Sequence, residues 1–153
     1  MSNLSPTFDP VLLARGTATL IGSLGTIMGI RAIIWPTRYA LTHGIINPTQ
    51  NRADNPFIRL SGAQHIATGL SFLSLLYLDE NRALGVLMVI TLFPGIADML
   101  VGLDSLPEVG QRKVEAEREK EQKKVDAARG AAYAHGIVAC VCAATGAWML
   151  MSL

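Results

Sequence analysis

The chain has 153 residues, half of them apolar and 16% charged, with a mean hydropathy of +0.36. That composition excludes a disordered chain and argues against an ordinary water-soluble globule. A net charge of +1 offers no basic face to a nucleic acid, and two cysteines make neither a disulfide framework nor, alone, a zinc site. More than half of the charged residues lie between Glu108 and Arg129, leaving the rest of the chain strongly apolar.

A helix needs roughly 20 mostly apolar residues to cross a hydrocarbon layer about 30 Å thick. Four stretches meet that requirement: about 11–35, 57–78, 83–103 and 131–153. The sequence therefore predicts a single all-α, membrane-embedded four-helix bundle over residues 1–153, integral and multi-pass. The residues from Met1 to Pro10 carry no Lys or Arg, so the basic flank of a cleaved signal peptide is missing and the first span is expected to remain.

The connections add detail. Pro36 ends the first helix at Trp35, because the residue before a proline is steered away from helix. The loop from Pro36 to Pro56 is long enough to fold back as a cap or re-entrant segment, with His43 expected in solvent. The link Asp79-Glu80-Asn81-Arg82 reads as a tight turn, which makes spans two and three antiparallel neighbours. The charged loop over 104–130 contains QRKVEAEREKEQKKVDAAR. Its strong helix formers and alternating signs predict a solvated helix that can run on into span four.

Eleven of the 13 Lys and Arg residues flank or lie in loops one and three; Arg15 and Arg82 lie on the opposite side. The positive-inside rule puts both loops in the cytosol and both termini across the membrane. With no other targeting signal, the endoplasmic reticulum is the expected membrane.

Ionisable side chains inside a hydrocarbon layer cost a few kcal/mol each, so they usually face the bundle and have a task. Here they are Arg31, Arg59, His65, Asp98 and His135, with Gln64 nearby. From the helical rise, His65 lies about 12 Å from the cytosolic end of its span, Asp98 about 8 Å and His135 about 7 Å. The spans alternate in direction, so sequence spacing does not force this coincidence. Arg31 and Arg59 stand at the same rim. The sequence thus predicts one polar pocket in the cytosolic half.

Face by face, Gly62, His65 and Gly69 share one side of span two, and Thr91, Pro94 and Asp98 share one side of span three. Pro94 leaves the carbonyl of Ile90 without its usual partner and can kink the helix beside Asp98. His135, Cys142 and Gly146 share a face of span four. In span one, Ala18, Gly22, Gly25 and Gly29 form a small-residue stripe that permits close helix approach, within one chain or between chains.

Plainer readings stand beside these. Arg31 and Arg59 can be anchors that snorkel to the headgroups. His135 can bond a neighbouring carbonyl, Asp98 can belong to a buried structural pair, and the glycines can simply pack. Cys140 and Cys142 read as free small hydrophobes. Two His and one Asp form no short metal-binding motif, and no phosphate-binding or dinucleotide fingerprint is present.

A carboxylate with one or two imidazoles in a dry pocket suits proton transfer. Asp98, His65 and His135 are the candidate catalytic residues. Arg59, Arg31, Gln64, Thr91 and Gly62 are the candidate substrate-binding residues. An arginine at the mouth could hold an oxyanion, enolate or carboxylate. The substrate should be a lipophilic small molecule, because access is through lipid or along the interface. No metal or cofactor is expected. Isomerisation, ring closure and epoxide opening all fit.

The stretches FIRLSGAQHIATGLSFLSLLYLDENRALGVLMVITLFPGIADMLVGL and AYAHGIVACVCAATGAWML resemble the small four-helix DoxX-like membrane proteins. They are still more similar to a fungal branch known only as a domain of unknown function. The resemblance covers spans two to four, a little under half the chain. It rests on Arg59 with Gly62 and Gly69, Arg82-x-x-Gly85 at the opening of span three, Asp98 near its end, and His135-Gly136 opening span four. It implies an enzyme of secondary metabolism acting on a polyketide, terpenoid or hybrid product. Two alternatives remain: a non-enzymatic subunit or scaffold that docks a soluble biosynthetic partner through the charged loop, and a small proton-coupled transporter using Asp98, which would need a homo-oligomer.

Overall fold

A computed structural model describes residues 9–42, 56–104, 106 and 115–153, and those residues form six helices with no strand among them. They are α1 (Pro10–Ile34), α2 (Pro36–Thr42), α3 (Pro56–Tyr77), α4 (Asn81–Ile90), α5 (Leu92–Asp104) and α6 (Glu115–Ser152). The remainder of loop one, with His43 and Arg52, and most of the α5–α6 link lie outside the described residues.

Three helical stretches are long and apolar enough to cross a membrane: Pro10–Ile34, Asn81–Asp104 and Glu119–Ser152. They mark the chain as a membrane protein. Their outer faces agree, since Leu20, Leu24, Ile27, Val86, Phe93, Ile137, Val138 and Val141 are all exposed, an arrangement that suits lipid and not water. With 22 residues, α3 is also long enough, but Arg59, Gln64 and His65 dilute its hydropathy.

The sequence dictates the helix ends. Asp9 caps α1, its carboxylate accepting from the Val11 N–H at 2.9 Å, with Pro10 in the first turn where its missing N–H does no harm. At the far end of α3 the chain reverses through Asp79, whose φ of 58° lies in the left-handed region. Arg15 of α1 reaches across to this turn. It pairs with the Asp79 carboxylate and donates to Asn81 Oδ1 at 3.0 Å and to the Leu76 carbonyl at 3.3 Å. The turn predicted at Asp79–Arg82 is therefore present and is clasped to α1.

Two antiparallel seams build the molecule. Along the first, α1 lies on α3 with small residues at the contact. A methyl group placed on Gly62 would stand 2.9 Å from the Gly29 carbonyl oxygen, and one on Gly69 would stand 2.6 Å from that of Gly22. The glycine stripe therefore serves packing within one chain, backbone against backbone. Along the second seam, α4 and α5 lie on α6, where Gly85 meets Leu150, Met88 meets Gly146, Gly95 meets Ala139 and Gly102 meets Ala132. The seams meet where α1 touches α6, and Ala14, Ala18, Phe72, Leu84, Met88, Cys142 and Met149 form the buried core between them.

The expected kink falls at Thr91, a one-residue interruption whose own backbone stays in the right-handed helical region. Helix α4 stops at Ile90 and α5 begins at Leu92, with Thr91 between them. Pro94 has no N–H to offer Ile90, and the next backbone bond runs from the Gly95 N–H to the Thr91 carbonyl at 3.2 Å. The break has a consequence for packing. Above it α4 touches α1 and α3; below it α5 stays on α6, and among the described residues it makes no substantial packing with α1 or α3.

The charged segment behaves as its composition predicts. Helix α6 runs unbroken for 38 residues, from the charged region into the apolar one. Its exposed part carries the helical-spacing contacts Lys123–Glu119 at 2.7 Å, Gln122–Asp126 at 3.0 Å and Arg129–Asp126 at 3.6 Å.

Candidate functional site

Histidine geometry gives the chemistry its direction. His65 Nδ1 lies 2.8 Å from the backbone carbonyl of Ser61, one turn back on α3. A carbonyl only accepts, so Nδ1 carries the proton, and in the neutral ring the lone pair resides on Nε2. His65 Nε2 makes no hydrogen bond among the described residues. His135 repeats the arrangement on α6, with Nδ1 2.9 Å from the Ala131 carbonyl. The plainer expectation for His135, a bond to a neighbouring carbonyl, is thus met, and the same bond fixes the tautomer of the ring. Both imidazoles are half-buried.

Asp98 lies on α5 below the break and is exposed in the isolated chain. It makes no ion pair among the described residues. The constant register of the α5–α6 seam, from Thr91–Cys142 to Gly102–Ala132, puts Asp98 level with His135 across the two helices.

Tyr39, which the sequence did not single out, lies against His65 and within reach of the Asp98 charge. Helix α2 turns back against α1 and α3, burying Ala40 fully and leaving Tyr39 only 6% exposed. The Tyr39 ring stands edge-on to His65, with centroids 6.3 Å apart and planes at 76°. Its phenol bonds the Ser61 hydroxyl, and the negative charge of Asp98 reaches it from α5. Burial pushes the phenol above its ordinary pKa, the Ser61 bond draws it back, and the Asp98 charge raises it again. A phenol held protonated is a hydrogen-bond donor. The signal available in the sequence was Pro36 as the first residue of a helix, with a tyrosine three positions on.

The other candidates divide. Arg31, in the last turn of α1, is half-buried at this end, while Arg59 and Gln64 are exposed on the early turns of α3. Gly62 lies inside the α1–α3 contact, where its role is close approach. The Thr91 hydroxyl donates to the Met88 carbonyl at 2.7 Å and lies 3.5 Å from Cys142 Sγ, so it ties this point of the helix to α6. Cys140 is exposed, Cys142 is buried, and both are free. Among the described residues, no group of three His, Cys, Asp or Glu side chains is arranged to hold a metal ion.

These features define a small helical membrane protein in which Tyr39 packs against His65 and feels the charge of Asp98. The chain belongs to the family described as a domain of unknown function, DUF4267, whose model matches residues 22–149. The match begins inside α1 and so takes in the glycine seam, Tyr39, His65, Asp98 and His135. No curated protein and no solved structure matches the chain.

Proposed function

We propose that the protein is a four-span membrane enzyme that performs cofactor-free acid/base chemistry on a lipophilic small molecule: an isomerisation, a ring closure or an epoxide opening. In this reading α3 is the fourth crossing, its polar turns facing the parting between the two seams. Loops one and three face the cytosol, and the membrane is that of the endoplasmic reticulum. The likeness to DoxX-like proteins and to a fungal branch of secondary metabolism belongs to the same reading.

One observation carries it. His65 is locked as a base at Nε2 beside a buried phenol that also feels the charge of Asp98, so a proton acceptor and a proton donor from separate helices share one place. The apolar surroundings favour a lipophilic guest.

The test compares cells carrying the wild-type gene with cells carrying Asp98→Asn, His65→Ala or His135→Ala. An isomerase or cyclase converts a lipophilic compound into another of the same mass. The variants should fold, insert and accumulate the precursor. If Asp98→Asn and His135→Ala both keep the full rate on that precursor, the reading fails.

A second reading has its own support. From Glu115 to Gly130, α6 extends about 24 Å as charged helix before its apolar part begins. Such a rod suits a scaffold that holds a soluble partner. Deleting Glu115 to Lys124 would then abolish capture of that partner, while Asp98→Asn would do little.

A further inference from the structure

We propose that two copies of the chain pair in the bilayer through the outward face of α3. This rests on α3 being the fourth crossing, and not on the acid/base chemistry.

The face consists of Leu60, Gln64, Ala67, Ser71, Ser74 and Leu78, all exposed in the single chain. Leu78 carries the helix one residue further, its N–H bonded to the Ser74 carbonyl at 2.9 Å. The spacing alternates four and three, so these residues line one side of α3. It is the side opposite Gly62 and Gly69, which meet α1. His65 stands against Tyr39, and Gln64 lies about 100° away from it around the helix. Helix α3 is also an edge of the fold. It packs on α1, touches α4 and α2 more lightly, and among the described residues makes no substantial packing with α5 or α6.

Lipid is a poor cover for this face. Its four middle positions offer an amide, a methyl and two hydroxyls, all within about 11 Å of the middle of α3. The other crossings turn bulk outward: Leu20, Leu24 and Ile27 on α1, Phe93 on α5, Ile137 and Val141 on α6. The Gln64 amide makes no hydrogen bond among the described residues, while the Ser71 hydroxyl donates to the Ala67 carbonyl at 2.8 Å and keeps its lone pairs. Polar groups left unmet in hydrocarbon are costly, so in membrane helices they face protein.

The chemistry of the face selects a second copy. All copies insert in one orientation, so a pair forms about an axis along the membrane normal, and each residue near that axis meets its own counterpart at the same depth. Gln64 then meets Gln64 of the partner subunit. An amide both donates and accepts, as a serine hydroxyl does, so like groups satisfy each other. Ala67 lets the backbones approach between the polar positions. The face carries no charge, so identical copies do not repel. From Leu60 to Leu78 it runs about 27 Å, close to the full hydrocarbon depth.

The experiment uses the full chain in phosphatidylcholine vesicles. In a Cys140→Ala background, with the buried Cys142 left in place, single cysteines are introduced by Ala67→Cys, Ser71→Cys and, off the face, Leu70→Cys. Under copper–phenanthroline the first two should cross-link into dimers and Leu70→Cys should not. Energy transfer between labelled copies, followed as lipid is added, should show the dissociation constant rising about 10-fold in Gln64→Leu and further in Ala67→Leu, with Ala144→Leu on the outward side of α6 unchanged. Absent cross-links, or equal cross-linking at the three positions, overturn the pairing. So does an unchanged dissociation constant in both Gln64→Leu and Ala67→Leu. Leu70→Cys separates the two failures: with a water-soluble maleimide on both sides of the vesicle it should stay unlabelled. Labelling there removes α3 as a crossing, and the pairing falls with it; protection without cross-links removes the pairing alone. Circular dichroism and thermal midpoints matched to wild type exclude misfolding.

Discussion

Alanine at Gly69 tests the link from packing to site. The new methyl would lie 2.6 Å from the Gly22 carbonyl oxygen and 2.7 Å from the Thr26 amide nitrogen. Both are backbone atoms of a helix and cannot swing away. Restoring ordinary contact requires the α1–α3 seam to open by about 0.8 Å, which forfeits dispersion contacts along it. Overpacking of this kind costs about 1–3 kcal/mol, and alanine returns about 0.5–1 kcal/mol of helix preference over glycine. The net expectation is a loss of about 1–2 kcal/mol. Gly25→Ala is the internal control, since its methyl meets the His65 carbonyl oxygen at an ordinary 3.5 Å. Unfolding in mixed micelles, followed by circular dichroism, should place Gly69→Ala well below wild type and Gly25→Ala at or above it. The same opening carries His65, one turn along α3, away from its neighbours, and misplacement of about 1 Å can cost as much as 10²-fold in rate. Equal stability of Gly69→Ala and wild type would refute the claim that backbone contact sets the seam.

Arg15→Ala should lower stability by no more than about 1 kcal/mol, because Asp79 is largely solvent-exposed and such pairs are weak; the same denaturation assay reads it. Asp79→Gly should be milder than Asp79→Ala in the same assay, since glycine accepts the left-handed φ that alanine resists, and a reversed order would count against the left-handed turn. Tyr39 should ionise above pH 10, read as the difference in tyrosinate absorbance between wild type and Tyr39→Phe. Its raised pKa means that the folded state holds this proton more tightly, so the associated stability is intact below pH 10 and is lost as pH rises through the folded value, a loss that Tyr39→Phe should remove. Pro94→Ala should restore the bond to the Ile90 carbonyl, hold or raise thermal stability and impair turnover, because α5 would straighten beneath Asp98; unchanged turnover would show that the break does not shape the site.

What the sequence made legible follows the range of each physical effect. Apolar length marked every long helix, and the boundaries of α1 and α3 fall within a residue or so of the expected spans. Proline at 94 announced the kink, and alternating charge announced the continuous α6, because backbone bonding and solvation act over a few residues. The duty of Gly62 was half legible: the small-residue stripe in α1 was evident, but its partner surface on α3 emerges only from the antiparallel register.

Tyr39 was hidden for a related reason. An aromatic residue in a polar loop carries no periodicity, and its burial depends on α2 folding back over two helices far apart in the sequence. The reading of Asp98 changed in the same way. A carboxylate inside a span calls for a partner, Arg59 or a histidine, yet Asp98 makes no ion pair among the described residues and its charge reaches a phenol instead. Asp98 lies level with His135 along the α5–α6 register while its field still reaches Tyr39. A carboxylate so placed can raise the cost of ionising a phenol without bonding to it.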